Sequence, residues 1–381
     1  MLTLIENGEV YAPEPRGPQA VLLTSDRIAK IGEVDRRAVE KLSLELNVID
    51  ATNCLIAPGL IDPHQHLLGG SGERGFSTQT PEIHLSELVT AGITTVVGCL
   101  GVDTTTKTMP GLLAKAKALR EEGLTAFIYT GGYNVPPTTI TNSIRNDLLF
   151  IDEVIGAGEV AISDVRSTHP SLRELAKVVG DAYVGGLLSR KAGITHIHVG
   201  DYKERLAPLR ALLDQFAIEP EWLYPTHVER SAALMEEAVA FAKLGAFVDV
   251  DTMEEDLPQW LRFYLDHDGD PERLTVSSDA SISSPRTLFE QVRACVTQHQ
   301  FPLEQVLKLV TSNPARALKL SGKGKLEEGK DADLIVLRKG SLEIKDVIAQ
   351  GRQMVKEGKL IVAERFLEGS TRRITLYGQK Q

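Results

Sequence analysis

Cysteine is scarce in this 381-residue chain: Cys54, Cys99 and Cys295 are odd in number and far apart. That pattern excludes a disulfide framework, argues against a thiolate metal site and fits a reducing compartment. Aromatic residues make up only 5%, and no uninterrupted apolar run approaches the roughly 20 residues that span a bilayer. Basic blocks are missing too. With a net charge of -10, the composition argues against nucleic acid or an anionic membrane as a partner. The one basic concentration, the C-terminal "TRRITLYGQK", reads as a short solvated tail. The N-terminal "MLTLIENGEVYAPEP" lacks the charged-then-apolar order of a signal peptide, so the expected location is the cytoplasm.

What the chain does contain is an ordinary soluble core, with 42% hydrophobic and 25% charged residues. The first 55 or so residues read as short strands with turns. Asn7-Gly8 is a hairpin signal, and Val21 to Ile31 holds β-rich runs around a Ser25-Asp26 turn. The last 60 or so have the same texture. Between them, short apolar strands alternate with amphipathic helical segments: "GLIDPHQH", "ITTVVGCLG", "LTAFIYTGG", "EVAISDVRS", "THIHVGD", "WLYPTHVE", "AFVDVDT" and "LTVSSDA". Such alternation means βα units and a parallel sheet, and eight strands is the number a closed barrel needs. The expected fold is α/β: a distorted (β/α)8 TIM-type barrel over 58–321, beside a small β-sandwich domain built from 1–57 and 322–381.

"LIAPGLIDPHQHLLGGSGERG" places two of only nine histidines, His64 and His66, at the end of a buried strand. Residues two apart on a strand share a face, and the C-terminal mouth is where barrel enzymes keep their chemistry. A lone histidine would more often be a satisfied core residue. Here His198, His227 and Asp279 also sit where strands give way to loops, and imidazole with carboxylate suits divalent zinc. His196 shares a face with His198 but lies one layer deeper and reads as barrel filling. His84, His169, His267 and His299 read as helix or loop residues.

In order and spacing, "PGLIDPHQH", the later single histidines, "SSD" and "GKGKLEEGKDADLIVL" resemble the amidohydrolase superfamily over essentially the whole chain. "GGSGERG", "TGGYNVPPTTIT", "AISDVRS", "HVGD", "PTHVER" and "SSDASIS" are similar to the isoaspartyl (β-aspartyl) dipeptidase family. The resemblance implies a metallo-dipeptidase with two divalent ions, zinc first among them. His64, His66 and Asp279 would hold the more buried ion, His198 and His227 the more exposed one, and a bridging hydroxide would attack the peptide. It makes Asp279 both ligand and proton carrier, and Tyr133 the donor to the developing oxyanion. It assigns Glu73 to the substrate ammonium, Arg166 and Arg230 to its carboxylates, and Ser283 to a further polar contact. It also implies a homo-oligomer, with an octamer as one candidate size.

One position departs from the family pattern. Where the family has a lysine whose carbamate bridges the ions, this chain has Glu159, so no carboxylated lysine is expected. Charge is kept but reach is not, since a glutamate falls about 3–4 Å short. An extra residue in Gly156-Ala157-Gly158 is expected to form a bulge that brings Glu159 inward. Otherwise the second ion would be weak or lost. Lys177 and Lys191 lie in helical or loop segments and are discounted as carbamate sources. Two other functions compete: another amidohydrolase activity, on a dihydroorotate-like cyclic amide or an N-acyl amino acid, and a non-catalytic assembly protein on a retired hydrolase barrel. The first would not need Glu73, Arg166 and Arg230; the second would usually have lost ligands.

Overall fold

The computed structural model describes residues 2–70 and 72–371; all of the basic tail after Thr371 lies outside the described residues. The two chain ends share one sheet. Its strands are β1 (Leu2–Tyr11), β2 (Pro15–Thr24), β3 (Arg27–Gly32), β4 (Leu46–Asp50) and β5 (Cys54–Pro58) from the first end. The barrel strands follow: β6 (Leu60–Gln65), β7 (Ile93–Gly98), β8 (Thr125–Thr130), β9 (Val154–Ile162), β10 (Ile194–Val199), β11 (Leu223–Thr226), β12 (Val248–Asp251) and β13 (Leu274–Ser277). The second end adds β14 (Leu334–Arg338), β15 (Ile344–Ala349), β16 (Arg352–Lys356) and β17 (Lys359–Leu360).

In the end-derived sheet the order is β17-β16-β15-β14-β5-β1-β2-β3, with β4 also pairing β1. The seam is β5 against β14, antiparallel from Cys54–Arg338 to Pro58–Leu334. Ile5, Val21, Ile28, Ile56, Val336 and Ile348 meet in its buried cluster, each fully buried side chain contributing roughly 1.5–3 kcal/mol. Asn7-Gly8 does not make the expected hairpin. β1 runs through it, and its register against β2 slips between Ile5 and Gly8, with Asn7 at φ 66°. Two residues tolerant of unusual backbone thus serve a bulge as readily as a turn. The Ser25-Asp26 turn does join β2 to β3.

All eight segments read as barrel strands are strands. β6 to β11 form a parallel ladder in chain order, and β12 pairs β13. β12 packs against β11 and β13 against β6, where a parallel bridge links Gln65 to Ala280. Nearly every strand residue is buried, because helices cover the outside and side chains fill the inside. Helix Leu172–Ser189 shows the pattern: Ser171 and Glu174 form a capping box, and Leu175, Val178, Val179 and Ala182 make the buried stripe.

Side chains bridge the ring where the ladder stops. Asp249 on β12 accepts hydrogen bonds from Thr226 on β11 (2.8 Å) and Ser277 on β13 (2.6 Å). Asp62 on β6 accepts from the backbone N–H groups of His64 (3.3 Å) and Ser278 (3.1 Å). One buried carboxylate therefore sets the spacing between the His64 turn and the Asp279 turn.

Candidate metal centre and active site

Six side chains from five strand ends converge at the barrel mouth. Glu159 on β9 lies at their centre. Its Oε2 is 3.3 Å from His64 Nε2, 3.4 Å from His198 Nδ1 and 3.2 Å from His227 Nε2, and its Oε1 is 3.9 Å from His66 Nε2. Asp279 Oδ1 lies 3.3 Å from His64 Nε2 and 3.1 Å from His66 Nε2. His227 and Asp279 both hold left-handed backbone, at φ 64° and 46°. Non-glycine residues adopt it at a cost that structures tend to accept at functional sites.

Each of these imidazoles has its other nitrogen assigned to a dedicated partner. His64 Nδ1 meets His196 Nε2 at 2.9 Å, and His66 Nδ1 meets Cys99 Sγ at 3.8 Å. His198 Nε2 meets Asp164 Oδ2 at 2.9 Å, and His227 Nδ1 meets Asp251 Oδ2 at 2.7 Å. Such partners fix ring orientation and tautomer, leaving the opposite nitrogen to face the centre.

That centre suits a divalent cation. His64 Nε2, Glu159 Oε1 and Asp279 Oδ1 are buried and have no hydrogen-bond partner. The donor atoms of His64, His227 and Asp279 lie within 4.8 Å of one another, as do those of Glu159, His198 and His227. Burial alone would raise the Glu159 carboxyl, but His64, His198 and His227 more than offset it and hold it well below the usual range. Asp279 is likewise lowered: burial opposes, while His64, His66 and His227 prevail. Burial brings His64 down to about 4, so this ring is neutral as a ligand must be. The residues fit a metal centre of nitrogen and oxygen ligands.

The short Glu159 side chain reaches the centre from a strand whose register slips at this point. Thr195 pairs with Ala157 and Ile197 with Val160, so Gly158 and Glu159 together stand opposite His196 alone. Only glycine suits position 158. Its φ is 142°, and a Cβ there would sit 2.5 Å from the His196 carbonyl oxygen. Gly158→Ala should therefore cost about 3 kcal/mol, combining backbone strain with overpacking, and should reduce bound metal. Urea denaturation and metal analysis check both effects.

Over the centre opens a cavity of about 630 Å³, with Glu73, Tyr133, Arg166, Arg230 and Asp279 on its wall. The Tyr133 hydroxyl lies 2.8 Å from His198 Nδ1. Burial and the nearby Glu159 charge push its pKa well up, so it stays a donor. Arg166 Nη1 donates to Glu73 Oε1 at 2.8 Å across the mouth. Arg230 lies 3.6 Å from Asp201. Ser283 is not on this wall, although its buried Oγ has no hydrogen-bond partner. Lys191 is occupied elsewhere, donating to the Leu148 and Ile151 carbonyls.

Five supporting residues escaped the sequence reading: Cys99, Asp164, His196 in its supporting role, Asp251 and Glu229. Burial and the neighbouring Asp251 push the Glu229 carboxyl well up, so it remains neutral behind the Asp251–His227 pair. Their shared signal was position. Asp164 lies two residues past β9 and Asp251 ends β12, both within segments already picked out, and Glu229 lies two residues past His227.

Comparison with known proteins gives a consistent picture. The Amidohydrolase family model matches residues 55–354. A solved structure of β-aspartyl dipeptidase from thermophilic, keratin-degrading Fervidobacterium islandicum AW-1 is 40% identical, with a TM-score of 0.91, covering 95% of this chain and 99% of that one. A second structure of that protein, in complex with β-Asp-Leu dipeptide, is 39% identical with a TM-score of 0.91, covering 95% and 98%. Among curated sequences, an imidazolonepropionase from Ruegeria sp. is 24% identical over 329 residues, 75% of this chain and 79% of its own length.

Proposed function

Because the chain belongs to the amidohydrolase family, and within it to the isoaspartyl dipeptidase family, we propose that it hydrolyses β-aspartyl dipeptides with two divalent ions, zinc in the simplest case. The observation that carries this reading is the convergence of four imidazoles on Glu159, each with its far nitrogen held by a partner. His64, His66 and Asp279 would hold one ion, His198 and His227 the other, with Glu159 between them. When bound, such ions supply hydroxide at neutral pH and polarise a carbonyl.

The chain's own groups do the rest. Asp279, kept ionised by its imidazole neighbours, takes a proton and passes it to the leaving amine. Tyr133 donates to the carbonyl oxygen as it gains charge, a contact typically worth about 2.7–4 kcal/mol. Glu73 meets the substrate ammonium, while Arg166 and Arg230 meet its carboxylates. Ser283, whose buried Oγ has no hydrogen-bond partner, is kept as a further polar contact to the substrate. Among the described residues no helix is long and apolar enough to cross a membrane. We place the enzyme in the cytoplasm as a homo-oligomer, which light scattering of the purified protein can size.

The decisive assay compares β-Asp-Leu with dihydroorotate on metal-replete protein. Hydrolysis of the dipeptide at least about a hundredfold faster is expected. Preference for the cyclic amide would replace this reading, and less than one ion per chain with no turnover would support a retired barrel.

A further inference from the structure

We propose that Asp164 is a positioning residue that ties the substrate-facing Arg166 to the metal-facing His198; this rests on the dipeptidase reading above. Asp164 lies two residues past β9 and is only 5% exposed. Its Oδ1 accepts from the Arg166 backbone N–H (2.8 Å) and from Arg166 Nε (2.9 Å). Its Oδ2 accepts from Arg166 Nη2 (2.8 Å) and from His198 Nε2 (2.9 Å). One carboxylate thus carries a two-pronged guanidinium contact and an imidazole together.

This arrangement needs a negative charge. Arg166 Nη2 and His198 Nε2 are only 3.2 Å apart, and both present hydrogens to the same oxygen. Without an anion between them, two donors would face one another. With Nε2–H spent on Asp164, His198 offers Nδ1 to the centre. Arg166 keeps Nη1 for the cavity, where it meets Glu73.

The backbone is cut to bring Asp164 this close. A Cβ on Gly200, just past β10, would sit 2.5 Å from Asp164 Cβ and 2.5 Å from the Ser163 carbonyl oxygen. The turn is further pinned by Ser167 Oγ on the Ala161 carbonyl, at 2.7 Å.

The coupling is directional. Removing Asp164's charge should disturb both His198 and Arg166, whereas removing Arg166 leaves Asp164 on His198. Purified wild type, Asp164→Asn and Arg166→Gln are stripped and titrated with cobalt(II), followed by visible absorption, and then assayed on β-Asp-Leu at saturating metal. Asp164→Asn is expected to weaken one of two cobalt ions by about 10–100-fold, keep the other at wild-type affinity, and raise KM at least about tenfold. Arg166→Gln is expected to raise KM with both ions bound as in wild type. Wild-type cobalt affinities in Asp164→Asn would overturn the proposal. So would loss of both ions together, or equal loosening in Arg166→Gln. Failure of the wild type itself to cleave β-Asp-Leu would instead remove the dipeptidase reading.

Discussion

Glu159→Ala is expected to lower kcat/KM for β-Asp-Leu by about a thousandfold or more, roughly 4 kcal/mol of transition-state stabilisation. The side chain is fully buried, and its two oxygens together face His64, His66, His198 and His227. Its removal takes one of the two anions from the centre and leaves the imidazoles without their common partner. Because the central carboxylate is encoded in the chain, wild-type turnover is expected to be independent of bicarbonate. Glu159→Lys should not recover in bicarbonate either. A carbamylated lysine is about 3–4 Å longer, while the Glu159 oxygens already lie 3.2–3.9 Å from the four imidazoles. Added acetate is expected to restore little to the alanine variant. Steady-state kinetics with and without bicarbonate decide the matter. An active Glu159→Ala, or a wild type stimulated by bicarbonate, would show that the anion at the centre comes from elsewhere.

Exhaustive chelation is expected to abolish hydrolysis, and zinc to restore it. A second signature should accompany that loss. In the stripped protein, burial would lower His227, but Asp251 and Glu159 outweigh it and raise its pKa to about 10. His66 is raised well above its ordinary value too: burial opposes, while Cys99 and Asp279 prevail. A histidine whose folded pKa exceeds its unfolded value, about 6.5, adds stability that is complete below 6.5 and is lost as pH climbs towards the folded value. The stripped protein should therefore lose stability between about pH 6.5 and 10, by roughly 1.4 kcal/mol per pH unit for each proton concerned. The loaded protein should not, since cations take the place of those protons. Melting temperatures of both forms across this range provide the check. Identical pH profiles would mean that these rings do not hold the charge balance.

The barrel was legible because each strand carries its own apolar run bounded by turn residues, and none depends on a distant partner to be recognised. The residues of the candidate metal centre were legible for a related reason: histidine is rare here, and its positions relative to strand ends could be counted. Asp164 and Asp251 were not, because acidic residues number 52 and most are solvated. What distinguishes them is contact with His198 and His227, residues from other strands. Cys99 was set aside on cysteine spacing, a rule that concerns cysteines meeting each other and says nothing of one resting on a histidine. Asn7-Gly8 misled because local backbone preference is the same for a bulge and a reversal; the length of the paired strand decides between them.

The contact between Arg166 and Glu73 at the cavity mouth has a consequence for selection among solutes. At rest, opposite charges that would greet a ligand already satisfy one another. A molecule bearing only an anionic group must draw the guanidinium away from Glu73, and a simple amine must draw the glutamate away from Arg166. A zwitterion can answer both charges at once, so on the dipeptidase reading above the doorway is expected to favour it over singly charged metabolites before any bond is broken.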